Sequence, residues 1–287
     1  FFSLPGADIL GIVMKTAALG SLLCLLFVVP ATWAQLAPPN RAGVTMGHVH
    51  LAVKDVDAHK AFWTNIMGGK LVKNGPLEMV EFPGVYILFR QSNESTPPEG
   101  SILNHFGFVV KDMPGALAKW KANNLKVTPT ENPNENFVWA PDGIRIEVFG
   151  VPNLPTPVEM NHLHFYASDV SGMQAWYMRI LGAIPSKRFS VASVSKPRMI
   201  ETVEVPGVNF SFGESKERLA PTKGRSLDHI GFEVKNLEEH VKNLQANGIK
   251  FDEAVRLVPN SNIKVAFLTD PWGTRVELTE NLPPVHH

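Results

Sequence analysis

The sequence predicts an α+β fold in which one β-α-β-β-β unit occurs four times, two units to each of two tandem domains. The first observation behind this is a histidine-led stretch that recurs four times. The copies are Gly47-His48 to Asp55, Asn104-His105 to Asp112, Asn161-His162 to Asp169, and Asp228-His229 to Asn236. Each copy alternates as a strand does and closes on an Asp or Asn that can cap the helical segment behind it. The second observation is a longer internal match. Glu81-Phe82-Pro83-Gly84-Val85-Tyr86 reappears as Glu204-Val205-Pro206-Gly207-Val208-Asn209, and Pro141 to Glu147 reappears as Pro271 to Glu277. A repeat of this length marks duplication. The third is Pro152, Pro155 and Pro157, which stiffen a linker over 152–159 and divide a domain at 44–151 from one at 160–282.

Taken in order, residues 1–34 read as upstream residues and a secretory signal. Met14-Lys15 gives a positive start, Leu19 to Val29 an apolar run, and Thr32-Trp33-Ala34 a small-residue cleavage site. The run is short for a membrane span. The expectation is a secreted or periplasmic protein, cleaved near Ala34 and free of the membrane thereafter, with an uncleaved anchor as the alternative. The single Cys24 lies inside that signal, which excludes disulfides and thiol chemistry in the mature chain.

A leader with Pro38 and Pro39 follows. The first unit then reads as a strand over 45–53, a helix over 58–67, and strands over 70–73, 77–82 and 85–90. The second reads as a strand over 102–110, a helix over 114–123, and strands over 126–128, 136–139 and 144–149. The third and fourth units repeat this plan. His162 and His229 lie further apart than His48 and His105, and the extra residues are placed in Pro185–Arg198, a candidate loop over a site. Of 287 residues 44% are hydrophobic, enough for a sizeable core, and Lys+Arg equals Asp+Glu at 27. That balance gives no support to a nucleic-acid partner.

Alternation places chemistry on one face. His48 and His50 share a strand face opposite Val49, Leu51 and Val53, and Glu147 and Glu277 lie opposite aliphatic neighbours on the last strands. Each half of the chain therefore offers two histidines and a glutamate: His48, His105 and Glu147, then His162, His229 and Glu277. Two imidazoles and a carboxylate suit a divalent metal with open positions, Fe(II) or Mn(II) first, then Zn(II), Ni(II) or Co(II). Alternatively the glutamates pair with Arg145 and Arg275 on their own strands. His50 and His164 are candidate acid/base groups or supports, or simply polar residues satisfied within the fold; Tyr166, on the same face, is a candidate substrate contact. Lys187 and Arg188 could meet an anionic substrate or only solvent. His59 and His240, on helices, are expected in solvent, and Trp63, Trp120 and Trp176 in the core.

Paired β-α-β-β-β units with His…Asp on the first strand and Pro-Asp-Gly…Arg-x-Glu on the last resemble the vicinal oxygen chelate superfamily, which includes glyoxalase I, extradiol dioxygenases and bleomycin-resistance proteins. The resemblance covers nearly all of residues 44–282. It implies that two units close a cupped mixed sheet around a metal chelated by two vicinal substrate oxygens. His162, His229 and Glu277 resemble the iron ligands of two-domain extradiol dioxygenases. The fourth strands, Tyr86 to Arg90 and Asn209 to Gly213, carry no glutamate of the glyoxalase I kind. The expected function is a dioxygenase-like, metal-dependent enzyme acting on a small molecule, as a monomer or homodimer. A glyoxalase/isomerase-type lyase or a metal-free small-molecule binding protein are the alternatives.

Overall fold

The computed structural model describes residues 36–190 and 198–283. The signal expected over 1–34, the tip of the expected loop at 191–197, and His286-His287 lie outside the described residues. Four units follow in order. The first is β1 (Val44–Val53), α1 (Val56–Ala61) continued by a π turn (Phe62–Ile66), β2 (Lys70–Asn74), β3 (Leu77–Phe82) and β4 (Val85–Gln91). The second is β5 (Leu103–Val110), α2 (Met113–Ala122), β6 (Val127–Pro129), β7 (Glu135–Trp139) and β8 (Arg145–Gly150). The third is β9 (Val158–Ala167), α3 (Val170–Leu181), β10 (Ile184–Ser190), β11 (Arg198–Val205) and β12 (Val208–Glu214). The fourth is β13 (Leu227–Val234), α4 (Leu237–Ala246), β14 (Glu253–Leu257), β15 (Lys264–Thr269) and β16 (Arg275–Glu280). The residue seven places after each leading histidine caps the helix behind it: Asp55, Asp112, Asp169 and Asn236 accept from the backbone N–H groups of Ala58, Gly115, Gly172 and Glu239. No helix among the described residues is long and apolar enough to cross a membrane.

The strands form two mixed eight-stranded sheets, ordered β14-β15-β16-β13-β1-β4-β3-β2 and β10-β11-β12-β9-β5-β8-β7-β6. The first sheet joins the first and fourth units; the second joins the second and third. Each half of the chain thus contributes one unit to each sheet. The segments 92–102 and 215–226 carry the chain between sheets, and they run side by side through the bridges Thr96↔Arg225 and Ser101↔Ala220. The proline-rich linker instead joins β8 to β9 within the second sheet.

This corrects the expected histidine sets. β1 pairs antiparallel with β13, putting His50 opposite His229, and β5 pairs with β9, putting His105 opposite His164. Strand alternation fixes which face a residue takes but not which strand lies beside it. The candidate loop is corrected too: 185–190 belongs to β10, which pairs with β11 from Ile184↔Glu204 to Ser190↔Arg198. One continuous core takes the apolar faces of both sheets and the helices, with Trp63 of the π turn stacked on Phe106 of the second sheet at 5.7 Å. Trp120 and Trp176 are buried there as well. The opposite faces form two cups.

Candidate metal centres

Four β-bulges shape the cups. Gly47, Asn104, Asn161 and Asp228 are each skipped in the pairing of β1 with β13 and of β5 with β9, immediately before a leading histidine. A bulge re-aims the side chain it carries. Here it brings the preceding residue onto the imidazole. Nδ1 of His229 lies 2.6 Å from Asp228 Oδ1, Nδ1 of His105 2.9 Å from Asn104 Oδ1, and Nδ1 of His162 2.8 Å from Asn161 Oδ1. At the fourth position Gly47 has no side chain, and His48 Nδ1 is buried without a partner. Sequence reasoning passed over Asp228, Asn104 and Asn161, although the signal was present: a polar residue precedes the histidine in three of the four copies.

In the first cup His48 Nε2 and His229 Nε2 stand 2.9 and 2.8 Å from the same oxygen, Glu277 Oε2. In the second, His105 Nε2 and His162 Nε2 stand 3.1 and 2.8 Å from Glu147 Oε2. All six residues are buried. Glycines make the space. A Cβ on Gly231 would stand 1.9 Å from His48 Cε1, and one on Gly107 2.2 Å from His162 Cε1. A Gly231→Ala variant should therefore displace the His48 ring and empty the first cup while the second keeps its ion, read as a fall from about two metal equivalents to one.

The donor set fits a metal. In His162 and His229, where Nδ1–H can donate to the bulge residue, the lone pair of Nε2 faces the carboxylate, an arrangement that a shared proton or a bound cation satisfies. His162 Nε2 lies at contact distance from Glu147 yet is not aligned to hydrogen-bond with it. Donors bound at about 2.1 Å on adjacent corners of an octahedron stand about 3 Å apart, which matches these separations. Burial pushes His105 down to about 4, with Glu147 only partly opposing it, so its ring is neutral at pH 7. Burial acts to raise Glu147 and Glu277, but the paired imidazoles hold both well below the usual carboxylate range. These groups occupy two clusters, His48, His50, His229 with Glu277, and His105, His162, His164 with Glu147. His50 and His164 thus join the sets. Tyr166 stacks on His164 at 5.0 Å.

The surroundings of the cups differ. Asp228 takes Gly224 N–H and lies 3.5 Å from both Arg275 and Arg90, so the first cup has a carboxylate behind His229. Burial lowers His229, but Asp228 and Glu277 outweigh it and raise it overall. Carboxylate support makes the imidazole a stronger donor. Asp228→Asn should weaken metal binding in the first cup by roughly 10- to 100-fold, measured by chelator competition, with the second cup unchanged. The walls of the first cup are apolar: Met79, Tyr86, Leu88, Val265 and Phe267 cluster there. The second cup is polar. Ser211 pairs with His164 where Leu88 pairs with His50. Glu135, fully buried, takes the place of Val265, and burial together with the Glu147 carboxylate pushes it up to about 8. Arg188 donates from Nε to Ser211 Oγ at 3.1 Å and borders a cleft of about 650 Å³ with Asn161, Glu204 and Asn209.

Other expectations resolve differently. Arg145 turns to Asn104 and His105, and Arg275 to Asp228 and Glu253, so neither pairs with the glutamate of its own strand. His59 is buried against Asp142 Oδ2 at 3.2 Å instead of lying in solvent, because the face of α1 that carries it packs inward. His240 is half-buried.

A model of the Glyoxalase/Bleomycin resistance protein/Dioxygenase superfamily matches residues 45–148 and 159–278. The structure of glyoxalase I from Zea mays is 17% identical, with a TM-score of 0.65 over 83% of this chain and 92% of that chain. A candidate dioxygenase from Bacillus subtilis is 15% identical, with a TM-score of 0.60 over 84% of this chain and 86% of that chain. These two likenesses speak to the fold. Among curated proteins, YaeR of Escherichia coli, itself uncharacterised, is 27% identical over 124 residues, 42% of this chain and 95% of that protein.

Proposed function

The chain belongs to the Glyoxalase/Bleomycin resistance protein/Dioxygenase superfamily, and from that premise we propose that it is a metal-dependent, dioxygenase-like enzyme acting on a small molecule with two vicinal oxygens. The observation that carries this reading is the convergence, in both cups, of two buried imidazole nitrogens on one carboxylate oxygen, at 2.8–2.9 Å in the first and 2.8–3.1 Å in the second. His48, His229 and Glu277 would hold one ion, and His105, His162 and Glu147 the other. Such an ion supplies Lewis acidity to the adjacent substrate oxygens. The chain's own part is to fix the donors through the bulge residues, exclude water behind the sheets, and orient the substrate, with Tyr166 and Arg188 facing it in the second cup. Fe(II) or Mn(II) is the proposed metal. Leu88 and Ser211 stand on the fourth strands beside His50 and His164, and neither supplies the carboxylate of a glyoxalase I site, which favours the dioxygenase-like reading over an isomerase.

The apolar wall of the first cup also supports a second reading, metal-free binding of an aromatic molecule. The test is elemental analysis of the chain from Gln35, purified without chelator or affinity metal, followed by oxygen uptake with catechol-like and vicinal-diketone compounds. About two equivalents of Fe or Mn with uptake supports the enzyme. Zn, Ni or Co moves the reading to lyase chemistry, and a metal-free protein that binds aromatics overturns it. Export is part of the proposal and is checked by N-terminal sequencing of the protein recovered outside the cytoplasm.

A further inference from the structure

We propose that each cup binds its ion through three imidazoles and one carboxylate, with His50 completing the first set and His164 the second. This rests on the metal-binding reading above and extends it, since two imidazoles and a carboxylate would already hold an ion without them.

Three observations carry it. The first is placement. His50 follows His48 by two residues, so both rings leave β1 on the cup face, and the register sets His50 directly opposite His229. His164 stands in the same relation to His162 and His105. The second is distance. An ion about 2.1 Å from a ring nitrogen lies about 3.2 Å from the ring centroid, so centroids around one ion stand roughly 4.5 Å apart when adjacent and 6.4 Å when opposite. In the first cup the three separations are 4.4, 5.8 and 6.1 Å, and in the second 4.6, 5.6 and 6.0 Å, so in each cup one pair matches adjacent donors and the other two fall between the adjacent and opposite limits, in the same way in both cups. One donor atom from each of the four residues falls within 4.8 Å of the others in both cups. The third is the state of the extra ring. Both nitrogens of His50 are buried without a hydrogen-bond partner, as is Nδ1 of His164. A buried polar atom left unpaired costs on the order of 1–3 kcal/mol. Appearing at the same place in two cups whose other walls have diverged, that cost points to a partner both cups share. Substrate-facing roles explain this less well, because Leu88 and Ser211, the cup neighbours of the two rings, differ in chemistry while the rings do not.

The measurement is X-ray absorption at the metal edge of the full mature chain loaded with Co(II), together with chelator-competition affinities for the wild type and a His50→Ala/His164→Ala variant. The expected result is three imidazoles per ion in the wild type, two in the variant, and an affinity loss of roughly 100-fold or more in the variant. Two imidazoles per ion in the wild type would overturn the inference while leaving the metal-dependent reading intact, and so would an unchanged affinity in a variant that remains folded by circular dichroism. If the wild type binds no Co(II) at all, both fall together. The absorption result on the wild type stands even if the variant does not fold.

Discussion

A His48→Ala/Glu147→Ala variant is expected to lose both metal ions, whereas His48→Ala/Glu277→Ala is expected to keep about one. The two variants remove the same residue types in the same number. They differ in whether the lost ligands belong to one cup or two. His48 and Glu277 meet at 2.9 Å across the first sheet, although 229 positions separate them. His48 and Glu147 belong to different sheets. Removal of one ligand from a three- or four-donor set lowers affinity enough to empty the site at micromolar protein, so stoichiometry after gel filtration is the readout. If ligands were grouped by chain half, the outcomes would be reversed: the first variant would keep one ion and the second would lose both. The measurement therefore tests the strand pairing and the metal proposal in one step, and equal stoichiometry in the two variants would sink both.

The contrast shows where sequence reading ends. The four units, their helix caps and nearly every strand follow from alternation and from Asp or Asn at a fixed place. Those are local properties, and β3 appears over Leu77–Phe82 as read. The residue types of the site were legible for the same reason, because two histidines and a glutamate each fall opposite an aliphatic face. Which of them meet was not legible. Either partner strand would bury the same Val49, Leu51 and Val53, so nothing in the periodicity of β1 distinguishes β5 from β13. The bulges were hidden too. A skipped residue leaves no trace in composition, yet it turns Asn104, Asn161 and Asp228, which simple alternation would face away from the cup, into supports for imidazoles. Glu135 and Val265 hold corresponding positions on β7 and β15, and only the pairing of β7 with β8 shows that one cup received a buried carboxyl where the other has an aliphatic wall.

An Arg188→Met variant is expected to lose one to two orders of magnitude of kcat/KM on anionic substrates and little on neutral ones of the same shape. Arg188 stands four residues into β10, the place that Asn74 holds in β2. Asn74 turns to the backbone carbonyls of Asn281, Leu282 and Pro283 and so ties the chain beyond β16 to the rim of the first cup. Arg188 does no such work. Its guanidinium lies 5.8 Å from the Phe149 ring and beside Ser211, where it borders the 650 Å³ cleft. Burial lowers its pKa and the Glu147, Glu135 and Glu204 carboxylates oppose that, so it remains a cation in a half-buried setting. A charge-assisted contact there is worth about 1.5–3 kcal/mol, or about 10- to 150-fold. Methionine keeps the length and apolar stem and removes only the charge. The check is a panel of vicinal-oxygen compounds with and without a carboxylate, assayed on both proteins with metal content verified. A uniform loss across the panel would assign Arg188 to the integrity of the cup. A loss confined to the carboxylates would identify the second cup as the one that takes anions, and would separate its substrate from whatever the apolar first cup accepts.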